Sequence, residues 1–119
     1  MANILIVDDE RSIRLLLRAL LERENHHVFE ASNGRAGLDL YRERAFDLII
    51  TDLTMPEMDG IACIQQLVAI DPNVNILVIS ALSDKATGIE ALKKGARGFL
   101  CKPFSEEQLI EALTELTED

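Results

Sequence analysis

Four apolar runs of this sequence end in polar residues whose types can bind a divalent cation and a phosphoryl group. The runs and the residues that end them are 4–7 with Asp8 and Asp9, 48–51 with Asp52, 76–79 with Ser80, and 99–101 with Lys102. Carboxylate oxygens are ligands for Mg²⁺. Ammonium and hydroxyl groups can position and neutralise the oxygens of a phosphoryl group. If the four ends meet, the sequence predicts a site for Mg²⁺-dependent phosphoryl chemistry.

Patterns typical of strands and helices alternate along the whole chain. Continuous apolar runs such as residues 4–7 are typical of parallel strands buried on both faces. Helical spacing of apolar residues follows each run. The last helix is the best marked, because Ser105 and Gln108 form a capping box at its start. The predicted strands are 4–7, 28–29, 46–51, 75–79 and 98–101. This order predicts an α/β fold, a three-layer flavodoxin-like (βα)5 sandwich.

The strand order decides whether the polar ends meet. Open parallel sheets bind ligands at the carboxyl ends of their strands, where the strand order reverses. In the common order 2-1-3-4-5, strands 1, 3, 4 and 5 are consecutive neighbours about 4.8 Å apart. Lys102 can then reach the Asp52 carboxylate. Alternation alone leaves the order open, but all the polar ends fall on strands 1, 3, 4 and 5, which favours it.

Size and charge restrict the class of protein. The 119 residues predict one domain over residues 1–119, and the formal net charge is −9. An acidic chain is poorly suited to direct binding of nucleic acid or of an anionic membrane. The sequence shows no signal-peptide pattern and no membrane span, so a cytoplasmic location is expected. Cys63 and Cys101 lie in apolar patterns and are interpreted as small buried side chains.

Four motifs occur in order on the expected elements. They are Val7-Asp8-Asp9, the stretch TDLTMPEMDG from Thr51 to Gly60, Ser80-Ala81, and Lys102-Pro103-Phe104. Each motif alone is a weak signal, whereas the ordered set is specific. With these motifs the chain resembles the receiver domain of bacterial two-component response regulators over essentially its whole length.

The resemblance implies a role for each polar strand end. Asp52 would be the phospho-acceptor, and Ser80 and Lys102 would contact the phosphoryl group. Phe99 would be an aromatic switch residue, whose ring swings inward when the Ser80 hydroxyl moves toward the phosphoryl group. The implied ligands of Mg²⁺ are Asp8, Asp9 as the more direct ligand, Asp52, and the backbone carbonyl of Thr54. The peptide bond between Lys102 and Pro103 would be cis. Ser80 and Phe99 stand where Thr and Tyr are more frequent in the family.

The resemblance implies a signalling switch rather than an enzyme acting on a separate substrate. A sensor histidine kinase or a phosphotransfer protein would supply the phosphoryl group. An output partner would bind the face made by helix 4, strand 5 and helix 5. Two alternatives stay open on the residues alone. One is an aspartyl-phosphate phosphatase-like enzyme, which needs an acid where Thr54 stands. The other is a pseudo-receiver that binds partners and is never phosphorylated.

Overall fold

The predicted alternation of strands and helices is confirmed by a computed structural model, which describes residues 2–53, 60–81 and 85–117. The elements in chain order are β1 (Asn3–Val7), α1 (Arg11–Arg23), β2 (His27–Ala31), α2 (Gly34–Glu43), β3 (Leu48–Asp52), α3 (Gly60–Ile70), β4 (Ile76–Ala81), α4 (Lys85–Lys94), β5 (Gly98–Lys102) and α5 (Glu106–Thr117). The strands β3, β4 and β5 extend one or two residues beyond their predicted carboxyl ends. Asp52 and Lys102 are therefore the last residues of their strands, and Ser80 is the last but one.

The five strands form one parallel sheet in the order β2-β1-β3-β4-β5, as predicted. The register aligns the carboxyl ends of neighbouring strands. Val7 pairs with Thr51 across β1 and β3, and Asp52 pairs with Ile79 across β3 and β4. Ala81 pairs with Lys102 across β4 and β5. The polar strand ends consequently lie along one edge of the sheet.

Both faces of the sheet are apolar, because successive side chains of a buried strand point to opposite sides. Leu5, Ile49 and Val78 pack on the face covered by α2, α3 and α4. Ile4, Ile50 and Ile79 pack on the face covered by α1 and α5. All six side chains are almost fully buried, and each contributes about 1.5–3 kcal/mol by leaving water. The two cores hold the central strands, and hence the site edge, in a fixed position.

The ends of the helices differ in how they are capped, and the Glu10 side chain at the start of α1 is not used as a cap. The capping box is confirmed at α5, where the Ser105 hydroxyl accepts from the Gln108 N–H and the Gln108 side chain accepts from the Ser105 N–H. Gly95 has φ +127°, which suits its place after α4. At α1 the N-cap residue Glu10 makes no side-chain cap bond. Ser83, a residue type favoured at helix N-caps, lies outside the described residues.

The two cysteines differ in exposure. Cys63 is buried, as predicted, whereas Cys101 is partly exposed. The prediction is wrong for Cys101 because β5 is an edge strand of the sheet. None of the helices in the described part of the chain is both long and apolar enough to cross a lipid bilayer.

Candidate functional site

The Asp52 carboxylate and the Lys102 ammonium form an ion pair at the carboxyl edge of the sheet. Lys102 Nζ donates a hydrogen bond of 2.9 Å to Asp52 Oδ2, which confirms the predicted contact. Asp52 is buried, with only 3% of its surface exposed. Lys102 leads into a cis peptide bond with Pro103, also as predicted. Asp52 thus presents a nearly buried carboxylate beside a cation.

Opposing effects act on the pKa of Lys102. Partial burial lowers this pKa, but the hydrogen bond and the charge of Asp52 raise it, with smaller contributions from the charges of Asp8 and Glu10. The net result is a pKa above the ordinary value. Lys102 Nζ also lies 4.0 Å from Asp8 Oδ2 and 3.9 Å from Glu10 Oε1. At neutral pH Lys102 is therefore an ammonium surrounded by three carboxylates.

Three acids form a cluster suited to a divalent cation. One oxygen from each of Asp8, Glu10 and Asp52 lies within 4.8 Å of the other two. Burial raises the pKa of Asp8 to about 6; the Glu10 N–H and Lys102 oppose this rise, and the charges of Asp52 and Asp9 add to it. A bound cation relieves the cost of ionising a carboxyl in such surroundings. Hard oxygen donors at this spacing fit Mg²⁺, which needs few protein ligands because it keeps several waters.

Glu10, rather than Asp9, joins this cluster, and sequence reasoning missed it. Asp9 is exposed and is absent from the groups of close ligand atoms found among the described residues. Asp8 Oδ1 accepts a hydrogen bond of 2.8 Å from the Glu10 N–H. The signal in the sequence was the run of three acids after β1, which does not say which of them turns inward. The predicted role of Asp9 as the more direct ligand stays a prediction.

Ser80 lies beside Asp52 on the neighbouring strand β4 and is fully buried. Its hydroxyl donates to the main-chain oxygen of Ala81 at 3.2 Å. A hydroxyl can rotate to a new acceptor without moving the backbone. Ser80 is therefore placed to change its hydrogen-bond partner, and its contact with a phosphoryl group stays a prediction.

Phe99 packs on the face of the sheet that carries α2, α3 and α4. Its ring lies directly against Gly88 of α4. A Cβ atom placed on Gly88 would be only 1.7 Å from Phe99 Cε2. The absence of a side chain at Gly88 therefore leaves the space that the Phe99 ring occupies. The predicted role of Phe99 as a switch residue is not tested by this contact.

Thr54, the predicted carbonyl ligand, lies outside the described residues. Leu53 and Gly60, the residues on either side of 54–59, contact each other. The Gly60 N–H donates to the Leu53 main-chain oxygen at 3.0 Å. A Cβ atom on Gly60 would lie 2.4 Å from Leu53 Cα, so this close approach requires glycine. Leu53 and Gly60 are thus in direct contact close to Asp52.

The residues at this edge are those of a known family. The sequence model of the response regulator receiver domain matches residues 4–114. The chain belongs to this family. The predicted family and fold are thereby confirmed. Members of the family are phospho-accepting signalling switches rather than enzymes with a separate substrate, so the predicted class of function is confirmed and the phosphatase-like alternative is not favoured.

Two relatives and one solved structure illustrate the similarity. The chain is 40% identical to the chemotaxis protein CheY of Thermotoga maritima over 116 residues, 97% of each protein. It is 42% identical over 111 residues to the transcriptional regulatory protein ZraR of Escherichia coli O157:H7, covering 93% of this chain but 25% of that protein. The CheX–CheY–BeF3–Mg complex of Borrelia burgdorferi matches with a TM-score of 0.92 and 28% identity, covering 98% of this chain and 90% of that chain.

Proposed function

We propose that Asp52 accepts a phosphoryl group from a phosphohistidine of a sensor histidine kinase or phosphotransfer protein. The observation that carries this proposal is the buried Asp52 carboxylate at the carboxyl end of β3, which Lys102 holds by a hydrogen bond of 2.9 Å. A nucleophilic carboxylate must be held in a fixed direction, and the hydrogen bond from the Lys102 ammonium does this. The receiver is the whole of residues 1–119, acts in the cytoplasm, and has no direct contact with nucleic acid or membrane.

The transfer forms one bond and breaks one bond. An Asp52 carboxylate oxygen attacks phosphorus, the phosphorus–nitrogen bond breaks, and its electron pair returns to the donor imidazole. Lys102 neutralises the transferred oxygens, and the Ser80 hydroxyl turns from Ala81 to donate to one of them. The protein contributes mainly positioning and charge, as phosphoryl transfer requires. Attack of water on the same phosphorus restores Asp52, so the domain catalyses only its own phosphorylation and dephosphorylation.

Mg²⁺ is the cofactor of this proposal. Asp8 and Asp52 hold it, together with the predicted ligands Asp9 and the Thr54 carbonyl, and Glu10 is a further acid within reach. When bound, Mg²⁺ neutralises the carboxylates and the phosphoryl oxygens. The CheY complex of Borrelia burgdorferi contains Mg²⁺ together with BeF3, which supports this assignment. Bound Mg²⁺ would also offset the cost of ionising Asp8, whose pKa burial raises to about 6.

The phosphoryl donor docks beside the site on a small apolar cleft. Its walls are Ile13 and Leu16 of α1 with Pro103 and Phe104 after β5, and it encloses about 360 Å³. Lys102 also lines this cleft, so a protein seated there contacts the residue that is hydrogen-bonded to Asp52. Leu16 is 49% exposed, which leaves apolar surface for a partner to cover.

The output partner binds the face made by α4, β5 and α5. Two large apolar side chains of α4 are exposed, Ile89 at 55% and Leu92 at 41%. Phe99 lies beneath α4 against Gly88. Rotation of Ser80 toward a phosphoryl group frees space near Phe99, and a moved ring changes the packing of α4. The partner therefore binds the phosphorylated and unphosphorylated states with different free energies.

Intact-mass spectrometry with a small phosphodonor and Mg²⁺ tests the phosphorylation. We expect one added phosphoryl group on the native chain and none on Asp52→Asn. Asp39→Asn is the matched control, because Asp39 is an exposed aspartate of α2 outside the cluster. A native chain that never gains the mass overturns the proposal and favours the pseudo-receiver. An Asp52→Asn variant that still gains the mass overturns the assignment of Asp52 as the phospho-acceptor.

A further inference from the structure

We propose that Arg14 is a positioning residue of the metal site, acting through the peptide unit between Asp8 and Asp9. The inference rests on the proposed function, since it concerns how the same acids are held. Arg14 Nη1 donates a hydrogen bond of 2.7 Å to the main-chain oxygen of Asp8. The Arg14 side chain is 16% exposed although it carries a charge. A buried charge of this kind needs fixed partners.

The Asp8 main-chain oxygen that Arg14 contacts lies just beyond the last hydrogen bond between β1 and β2. The last backbone bond between β1 and β2 joins the Asp8 N–H to the Ala31 oxygen at 3.1 Å. The peptide unit is planar, so fixing the Asp8 oxygen also fixes the direction of the Asp9 N–H. The orientation of this peptide unit determines where the backbone places Asp9 and Glu10. Arg14 therefore sets the direction in which the acids after β1 leave the sheet.

Arg14 is itself held by β2. Its Nε donates to Glu30 Oε1 at 3.1 Å, and the Glu30 side chain is 22% exposed. Arg18 Nη1 binds the other Glu30 oxygen, and Arg18 Nη2 donates to the Val28 oxygen at 2.8 Å. Glu30 pairs with Ile6 in the sheet register. The contacts thus run from the rigid strand β2 through Glu30 and Arg14 to the Asp8–Asp9 peptide.

The geometry requires a guanidinium rather than any cation. Arg14 uses Nε for Glu30 and Nη1 for Asp8, two donors of one rigid plane. An ammonium is a single point of charge and cannot span both acceptors in this way. The contact to Asp8 is made to its main-chain oxygen and not to its carboxylate. Arg14→Lys therefore keeps the charge but loses the orientation of the peptide.

Mg²⁺ titration of the full chain tests this role, with Arg18→Met as the matched control. Arg18 shares Glu30 with Arg14, but its contacts run to Glu22, Glu30 and Val28. We expect Arg14→Lys and Arg14→Met to weaken Mg²⁺ binding about 10-fold, the low end for partners of metal ligands. Arg18→Met should bind Mg²⁺ within about twofold of the native chain even if its Tm falls. Saturating Mg²⁺ should restore much of the phosphorylation rate of Arg14→Lys.

Amide hydrogen exchange supplies a local readout that does not depend on the metal. We expect faster exchange at Asp9 and Glu10 in Arg14→Lys and little change there in Arg18→Met. Native-like Mg²⁺ affinity in a folded Arg14→Lys, or equal loss in Arg18→Met, overturns the positioning role while leaving the proposed function intact. A native chain that neither binds Mg²⁺ nor gains a phosphoryl group overturns both.

Discussion

The ring of Phe99 occupies the space that a side chain on Gly88 would fill, because a Cβ atom on Gly88 would lie 1.7 Å from Phe99 Cε2. Glycine within a helix costs about 0.5–1 kcal/mol relative to alanine. Helix propensity alone would therefore favour Gly88→Ala. The contact with Phe99 acts against it, since the ring has to move before a methyl group fits.

We expect Gly88→Ala to lower the Tm in place of raising it. The overlap with Phe99 should cost about 1–3 kcal/mol, more than the helix gains. The double variant with Phe99→Leu should recover much of this loss, giving a coupling energy above about 1 kcal/mol in urea denaturation. Additive effects of the two substitutions would show that the contact does not control the packing of α4.

Lys102→Gln should change metal binding and phosphorylation in opposite directions. The ammonium lies within 4.0 Å of Asp8, Glu10 and Asp52, where its charge competes with that of a bound cation. Its removal should tighten Mg²⁺ binding by roughly tenfold, about 1.4 kcal/mol. Phosphorylation should slow, because the transferred oxygens lose a cation. Calorimetric titration and intact-mass time courses measure the two effects.

Lys102→Arg is the control for charge, because it keeps a cation at this position. We expect its Mg²⁺ affinity to stay closer to that of the native chain than the affinity of Lys102→Gln. Weaker Mg²⁺ binding in Lys102→Gln would contradict the competition between the ammonium and the metal.

The raised pKa of Asp8 predicts that the metal-free fold loses stability as the pH rises. Burial raises this pKa to about 6 in the folded chain, against about 3.9 in an unfolded one. Protonated Asp8 therefore makes its full contribution to the free energy of unfolding below about pH 4. This contribution is lost as the pH rises through about 6, because the buried carboxyl must then ionise. It amounts to at most about 3 kcal/mol. Urea denaturation with a chelator present, between pH 4 and 7, measures it.

Asp8→Asn should flatten the pH dependence in this window, and Asp39→Asn should keep the native slope. Mg²⁺ should restore stability at neutral pH by binding only the folded state. Equal slopes in Asp8→Asn and the native chain would assign the titration to another group.

Leu16→Glu should slow phosphorylation by a protein donor without changing the rate of phosphorylation by a small phosphodonor. Leu16 lines the apolar cleft next to Lys102, and a carboxylate there should reject an apolar partner surface. We expect transfer from the cognate kinase to fall about tenfold or more, as for a central interface residue. Phosphorylation by a small phosphodonor should be unchanged. Ile89→Glu, an equally exposed apolar position on α4, should leave both rates unchanged and weaken only the output partner.

The sequence predicted the sheet order and the Asp52–Lys102 contact because both depend on strand ends, which continuous apolar runs mark clearly. The place of Glu10 in the acid cluster could not be predicted. Glu10 follows shortly after β1, and its approach to the cluster depends on the turn in which the Asp8 carboxylate accepts from the Glu10 N–H. The partnership of Arg14 with Glu30 depends on the register of β1 and β2, which a single sequence does not specify.

The two helical layers place the donor cleft and the contact between Phe99 and α4 on opposite sides of the sheet. The cleft for the phosphoryl donor is built on the side of α1 and α5, where Ile13 and Phe104 join one core. Phe99 belongs to the core on the other side of the sheet, beneath α4. The donor side and the output face meet at α5, which belongs to both. We therefore expect an output protein confined to α4 to bind while a donor occupies the cleft, and one that also covers α5 to compete with the donor.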